Sequence, residues 1–396
     1  MKIGIWLGSD RKSLIGGGGS YTDRFLYLVD NYQFHEKIEL CYLSIVPQNN
    51  LKRETIIISQ IPQWIYKCAQ ISSLLSRKLI GLDKRIIIRK GLSRILEGTS
   101  VKIVFYCSQC VCLDSNFPFI SNNFDIGHRS THSFPEVILN GQFEVREEFY
   151  KCVLPKSLLT ICESETGKKE LIDYTGLADH KIRVMPIFAG GVSSLDIEES
   201  SILAFVDDIG VKPYRYFYYP AQFWAHKNHV GLLKAFKEFT QIYNDYKIVF
   251  NGSDMGNKEY IINIADQLGI KDNVVFLGFI SDEEVYSLYK KATALVMASH
   301  FGPTNMPPIE AMELGCPVAC SDLGGHREIL SENAVFFDSY DTQAITKALI
   351  EISQNRENWE NKICCQKKQT FFNSRNTLEC LDKILQEAIT IRENWK

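Results

Sequence analysis

Residues 294–330 restrict the fold of this chain more than any other stretch, because strand and helix signals alternate there without a break. An apolar run, Ala294 to Met297, ends in the loop Phe301-Gly302-Pro303-Thr304-Asn305. A helix is predicted to start near Pro307-Pro308, to carry Glu310 in its first turn and to stop at Gly315. Proline suits a helix start because its missing N–H has no intrahelical partner there, and glycine suits the left-handed exit. A second strand, 317–320, runs into Gly324-Gly325 and another short helix. A helix N-terminus placed beyond the carboxyl ends of parallel strands gathers free N–H groups and positive dipole. The segment therefore offers a seat for a phosphate.

The same alternation runs through the rest of the chain and predicts parallel sheets. Strands are expected at 2–7, 39–46, 55–59, 101–106, 158–162 and 182–186, then at 214–219, 247–250, 274–277 and 334–337. Helices are expected at 257–268 and 282–291, and near 341–354, 357–370 and 374–391. Gly16-Gly17-Gly18-Gly19 follows the first strand, a place where glycine lets backbone approach a ligand closely. Taken alone, those four glycines fit a flexible loop equally well. Residues 190–201, GGVSSLDIEESS, are glycine- and serine-rich and acidic, and mark a linker.

At 396 residues the chain is long for one core and sufficient for two domains. Net charge is −3 with 45% apolar residues, so bulk charge offers nothing to a nucleic acid. The start lacks a signal-peptide pattern, and no run reaches the roughly twenty apolar residues that span a bilayer. Among the twelve cysteines, Cys107, Cys110 and Cys112 form a cluster with no second pair at zinc-finger spacing, while Cys162, Cys316 and Cys320 sit in apolar runs. This pattern implies a reduced, cytoplasmic protein. Residues 77–94 interleave Arg77, Lys78, Lys84, Arg85, Arg89, Lys90 and Arg94 with Leu79, Ile80, Leu82 and Ile86 to Ile88. That is a basic amphipathic surface: a solvated helix face by default, and otherwise a contact for an anionic membrane.

The stretch GPTNMPPIEAMELGCPVACS resembles, without a gap, the nucleotide-binding signature of the GT-B glycosyltransferases of family four, the group 1 type. That retaining family usually shows a glutamate, seven residues and a second glutamate. Glu310 matches the second, which in the family holds the nucleotide ribose; the first position is Gly302, so the contact to the donor sugar must come from elsewhere, with Thr304 and Asn305 nearest. FDIGHRSTHSFPEV, residues 124–137, is similar to a loop of a bacterial polysaccharide-assembly branch. The resemblance implies His128 against the donor sugar, Arg129 on a phosphate or acceptor, and Glu136 at a helix start or on the acceptor. In YPAQFWAHKNH, Lys227 matches the family's diphosphate lysine and Gln222 stands at its arginine position. Gly252 matches a glycine turn, Phe279 lies where relatives hold the base by backbone, and Gly17 and Gly18 fall in the loop beneath the diphosphate.

The resemblance implies a GT-B fold: two doubly wound Rossmann-like domains, 1–190 on the acceptor side and 202–374 on the nucleotide-sugar side, joined by 191–201. A final helix, 375–396, crosses back to the first domain. It implies a retaining transferase moving a sugar from a nucleoside diphosphate sugar to a saccharide or lipid-linked saccharide in O-antigen or capsule synthesis. The expected catalytic residues are His128, Lys227 and Asn305, with Met306 joining Thr304, Asn305 and Glu310 at the donor. No Asp-any-Asp motif sits at a strand end, so no metal and no further cofactor is expected. The expected location is the cytoplasm or the inner face of the plasma membrane. Two other readings stay open at this point: a nucleotide-sugar epimerase of the same fold, and a degenerate transferase serving as a scaffold.

Overall fold

The apolar runs pair as two separate, all-parallel sheets in the computed structural model, which describes residues 1–7, 17–48, 50–58, 96 and 98–395, with 17–20 as backbone only. The first sheet holds β1 (Lys2–Trp6), β2 (Glu39–Ser44), β3 (Thr55–Ile57), β4 (Val101–Tyr106), β5 (Phe119–Asn123), β6 (Leu159–Cys162) and β7 (Ile182–Val184), in the order β3-β2-β1-β4-β5-β6-β7. The second holds β8 (Tyr216–Pro220), β9 (Lys247–Asn251), β10 (Val274–Phe276), β11 (Ala294–Met297), β12 (Val318–Ser321) and β13 (Val335–Phe337), in the order β10-β9-β8-β11-β12-β13. Both sheets start in the middle, walk to one edge, return and walk to the other. The chain reverses between β1 and β4 and between β8 and β11, where a doubly wound sheet opens a crevice at its strands' carboxyl ends. This is the GT-B arrangement. No helix among the described residues is long and apolar enough to cross a membrane.

Strands covered on both faces read as unbroken apolar runs. Ala294, Leu295 and Val296 of β11 are fully buried, as are Tyr216, Phe217, Tyr218 and Tyr219 of β8. Burying three tyrosines demands partners for their hydroxyls. Tyr216 Oη donates to the Leu288 carbonyl at 2.8 Å, Tyr218 Oη to Asn251 Oδ1 at 2.7 Å, and Tyr219 Oη to the Lys227 carbonyl at 2.7 Å.

The expected strands lie within two residues of their observed ends. Several expectations need correction. Gly17 and Gly18 belong to the helix Gly17–Asn31 rather than to a loop before it. Glu310 is the fifth residue of the helix Met306–Leu314, so it follows the first turn. Strand β8 begins after Tyr214, whose φ of 59° leaves the extended region. Strand β5 was not expected, because Ser121, Asn122 and Asn123 make three of its five residues polar, yet all three are buried. Hydrogen bonds compensate for two of them: Asn122 Nδ2 donates to the Cys107 carbonyl at 3.2 Å, and Tyr150 Oη to Asn123 Oδ1, while Ser121 Oγ and Asn122 Oδ1 have no partner among the described residues. The helix Glu199–Asp208 starts inside the expected linker and is tied to the second domain's helix Asp282–Lys291 by the Glu199–Lys291 ion pair. The basic segment 77–94 lies outside the described residues.

The helix Ser374–Arg392 returns to the first sheet. Thr377 Oγ1 donates to the Pro186 carbonyl at 2.7 Å, Asp382 Oδ1 accepts from the His35 N–H at 3.0 Å, and Arg183 grips Glu387 with two nitrogens.

Between the two sheets lies the loop 301–305. A Cβ added to Gly325 would stand 1.3 Å from the Pro303 carbonyl oxygen, so only glycine lets the loop rest on that helix start. Gly325→Ala is expected to displace backbone rather than a side chain, costing at least the ~1–3 kcal/mol of an overpacked core. Gly256→Ala (φ 87°, open space around it) carries only backbone strain of about 1–2 kcal/mol. Thermal unfolding of the two variants should rank them in that order, with Gly325→Ala the less stable.

Candidate active site

The switch point of the second sheet holds a chain of buried polar groups. Ser321, at the end of β12, presents its carbonyl to His326 Nδ1 at 2.8 Å. That contact puts the proton on Nδ1 and leaves Nε2 to accept from Asn305 Nδ2 at 2.9 Å. Burial pushes the His326 imidazolium down to about 4, so the ring is neutral. Asn305, the N-cap of the helix Met306–Leu314, is thereby turned so that its Oδ1 accepts from Lys227 Nζ at 3.0 Å. Burial pulls the Lys227 ammonium down to about 8, against Asp125 and Glu136, which favour its charge. Pro307 and Pro308 carry no N–H, so Met306 supplies the free donor of that helix start; with the Lys227 ammonium on the neighbouring Asn305 and the positive end of the helix dipole, the place suits an oxyanion.

Two cavities flank the loop. One, of about 300 Å³, is lined by Lys227, Asn305, Thr304, Gly302, Trp224 and, from the first domain, Glu136, Glu163 and the Asp125–Arg146 pair (2.7 Å). The other, of about 360 Å³, lies between Thr131, His132 and Glu170 of the first domain and His300, Gly324 and Tyr340 of the second.

First-domain carboxyls reach across the cleft. Glu136 Oε1 accepts from the His226 N–H at 2.9 Å and pairs with His226 Nδ1. Glu163, 6% exposed, accepts from the Thr304 hydroxyl. In return Glu328 closes on the start of the helix Glu165–Thr175, accepting from the N–H groups of Glu165 at 2.8 Å and Thr166 at 2.9 Å. Phe301 fills the gap over Gly127 and stacks on His226 with ring centres 4.2 Å apart.

The expected residues divide. Lys227, Asn305 and Thr304 come together in one cavity, with Glu136 on its wall. His128 and Arg129 do not. The His128 ring stacks on Tyr150 and sets Nε2 3.1 Å from Glu147, while Arg129 binds the same carboxylate through two nitrogens, 2.8 Å for the longer contact. Their place opposite Glu147 corrects the expectation of a sugar and an acceptor contact. Glu136 is a bridge to His226 rather than an open acceptor contact. Gln222 Oε1 accepts the Trp224 indole N–H at 2.9 Å, Gly252 N donates to the Gly278 carbonyl at 2.9 Å, and Phe279 stands 79% exposed at the end of β10. Met306 opens its helix, partly buried. At Gly302 φ is 126°, and a Cβ there would stand 2.9 Å from Asn305 Nδ2 and 3.1 Å from the Thr304 carbonyl, so a glutamate cannot occupy this backbone as it stands.

Sequence reasoning missed Glu163, His326 and Glu328. An acid directly after β6 and just before the Ser164 cap was a readable signal for Glu163. Nothing local distinguishes His326 or Glu328.

Glu310 is buried against Tyr289, whose hydroxyl donates to Oε2 at 2.9 Å, and burial pushes its carboxyl from 4.5 up to about 7. A carboxyl with a raised folded pKa holds its proton more tightly when folded. Its stabilising contribution is therefore complete below about 4.5 and lost as pH rises through about 7. Glu310→Gln should leave the ligand-free protein at least as stable as the parent at pH 8, with a flatter decline in melting temperature above pH 4.5. A loss of stability at pH 8 would show that the carboxylate is compensated in the folded chain.

Residues 207–367 match the family of glycosyl transferases group 1. The O-antigen chain mannosyltransferase RfbU of Salmonella typhimurium is 32% identical over 134 residues, 33% of this chain and 36% of that protein. The curated relatives are matched over 11–36% of their own length, so what they do as wholes is not carried over here. Among solved structures, sucrose-phosphate synthase from Thermosynechococcus elongatus superposes with a TM-score of 0.75 at 14% identity, covering 98% of this chain and 99% of that one. Anabaena HepE in complex with UDP and glucose superposes with a TM-score of 0.68 at 15% identity, covering 98% and 99%. At such identities the likeness is one of fold. Residues 207–367 are a group 1 glycosyl transferase domain, set in a GT-B frame of two facing parallel sheets.

Proposed function

We propose that this chain is a retaining, metal-independent glycosyltransferase of cell-surface polysaccharide synthesis, either O-antigen or capsule. It moves a sugar from a nucleoside diphosphate sugar to a saccharide or lipid-linked saccharide, in the cytoplasm or at the inner face of the plasma membrane. The observation that carries this reading is the Lys227–Asn305 pair at the start of the helix Met306–Leu314. The group 1 match and the mannosyltransferase relative favour the same chemistry, and the fold is shared with a protein whose structure contains UDP.

In this reading the diphosphate displaces Asn305 from the Lys227 ammonium. Glu310 takes the ribose, and the backbone near Gly252 and Phe279 borders the base. The anomeric C–O bond breaks with its electron pair going to the departing phosphate oxygen, the acceptor hydroxyl oxygen bonds to the anomeric carbon, and its proton passes to that phosphate oxygen. A fixed ammonium and the positive end of the helix dipole interact more strongly late than early with that charge. They also supply the neutralisation that other transferases draw from a metal, so turnover should survive EDTA.

Lys227→Ala is expected to lower turnover by about 100-fold or more, the scale of one lost transition-state donor, with a smaller effect on donor affinity. Lys234→Ala, on an exposed face of the following helix, is the control. Similar rates for the two would reject the phosphate assignment. Glu310→Gln should weaken nucleoside diphosphate binding by about 1.5–3 kcal/mol in calorimetry, as loss of a charge-assisted bond would. For the basic segment, reversing Lys84, Arg85, Arg89 and Lys90 to Glu should abolish flotation with anionic vesicles. Equal flotation of parent and variant would remove the membrane contact.

A further inference from the structure

We propose that Glu163 reads the transferred sugar: its carboxyl, held from the first domain and facing Thr304 across the cleft, takes pyranose hydroxyls of the bound nucleotide sugar. The inference rests on the transferase reading above and extends it to a specificity residue.

Glu163 is rigidly placed. It follows β6 directly, and the next residue, Ser164, caps the helix Glu165–Thr175 by accepting from the Gly167 N–H at 3.0 Å. Strand on one side and cap on the other leave the side chain to project into the 300 Å³ cavity that also holds Lys227 and Asn305. That volume stands at the low end of ligand sites, about 300–1,000 Å³, and suits one sugar ring better than a longer saccharide.

The group is costly where it stands. Among the described residues no cation pairs with it, although a guanidinium lines the same cavity, because Arg146 is spent on Asp125. Burial, reinforced by Asp125, pushes the Glu163 carboxyl up to about 7 even though the Thr304 hydroxyl opposes the shift. A hydroxyl–amide contact would tie the domains together as well without a buried ionisable group. A carboxyl kept half-charged in a cavity is explained by a ligand that donates to it.

The opposite wall explains why this carboxyl is needed from the first domain. Gly302, with its φ of 126°, presents no side chain to the cavity, and the Asn305 amide is held through Nδ2 by His326. Two carboxyl oxygens accept from neighbouring hydroxyls of one ring. An epimer with one hydroxyl inverted leaves an oxygen unpaired in a buried site, and such a mismatch is strongly discriminated.

The test starts with calorimetry of the intact parent against UDP and GDP. Turnover of UDP-glucose against UDP-galactose, and of GDP-mannose against GDP-glucose, is then measured for the parent, Glu163→Gln and Thr304→Val. Glu163→Gln should lower the kcat/KM preference between the epimers of the accepted base by about 10-fold or more, while nucleoside diphosphate affinity moves by less than about twofold. Its melting temperature at pH 8, expected to be no lower than the parent's, establishes that it folds. Thr304→Val, which keeps the carboxyl, should retain most of the preference. If Glu163→Gln leaves the preference intact, or if Thr304→Val abolishes it to the same extent, Glu163 is only a tie between the domains. If the parent binds neither nucleotide and turns over none of the four sugars, the transferase reading falls and this inference with it.

Discussion

The seating of the loop 301–305 is the constraint on which the rest of the cleft depends. Pro303 rests its carbonyl on Gly325, and its ring lies near Gly167 of the first domain. Phe301 packs over Gly127, Thr304 reaches Glu163, and Asn305 starts the helix Met306–Leu314. One short segment therefore sets the domain spacing, the wall of both cavities and the orientation of the cation-binding amide. Little of this loop is free to move independently, since backbone meets backbone at its centre.

Around it the protein accepts a series of unfavourable burials. Lys227 and the carboxyls of Glu163 and Glu310 are all shifted towards their neutral forms by loss of water. Such groups destabilise a ligand-free fold, and two of them, Lys227 and Glu163, line the same cavity. The carboxyls that serve structure behave differently. Glu147, between Arg129 and Lys151, is held down at about 2, and Asp125 is kept ionised by Arg146. Arg129 belongs with this second set, held against Glu147, whereas burial shifts His128 towards its neutral form as it does Lys227.

The sheets were legible in the sequence because parallel strands buried on both faces leave unbroken apolar runs. The exception, β5, hides its register behind Ser121, Asn122 and Asn123, of which Asn122 is bonded to the Cys107 carbonyl and Asn123 to Tyr150 while Ser121 Oγ has no partner among the described residues. On the second domain, Lys227 and Asn305 were singled out by the resemblance of their segments to the family's signature, and the structure brings the two side chains to 3.0 Å. The first domain's side of the cleft was not legible. Whether His128 or Glu163 faces the cavity depends on Tyr150, Glu147 and Thr304, contacts made across the fold. Gly302 was legible as a departure, but its meaning needed the backbone angle: the position is conformationally closed to a glutamate.

The central claim is that a diphosphate sits at the switch point of the second sheet, between Lys227 and the start of the helix Met306–Leu314. A crystal structure of the protein with the nucleoside diphosphate it binds tests this most directly. The expected result is a phosphate oxygen within hydrogen-bond reach of Lys227 Nζ and of the Met306 N–H, with Asn305 Oδ1 released from the lysine and the ribose against Glu310. A nucleotide bound at the first sheet instead, with the Lys227–Asn305 bond intact, would contradict it.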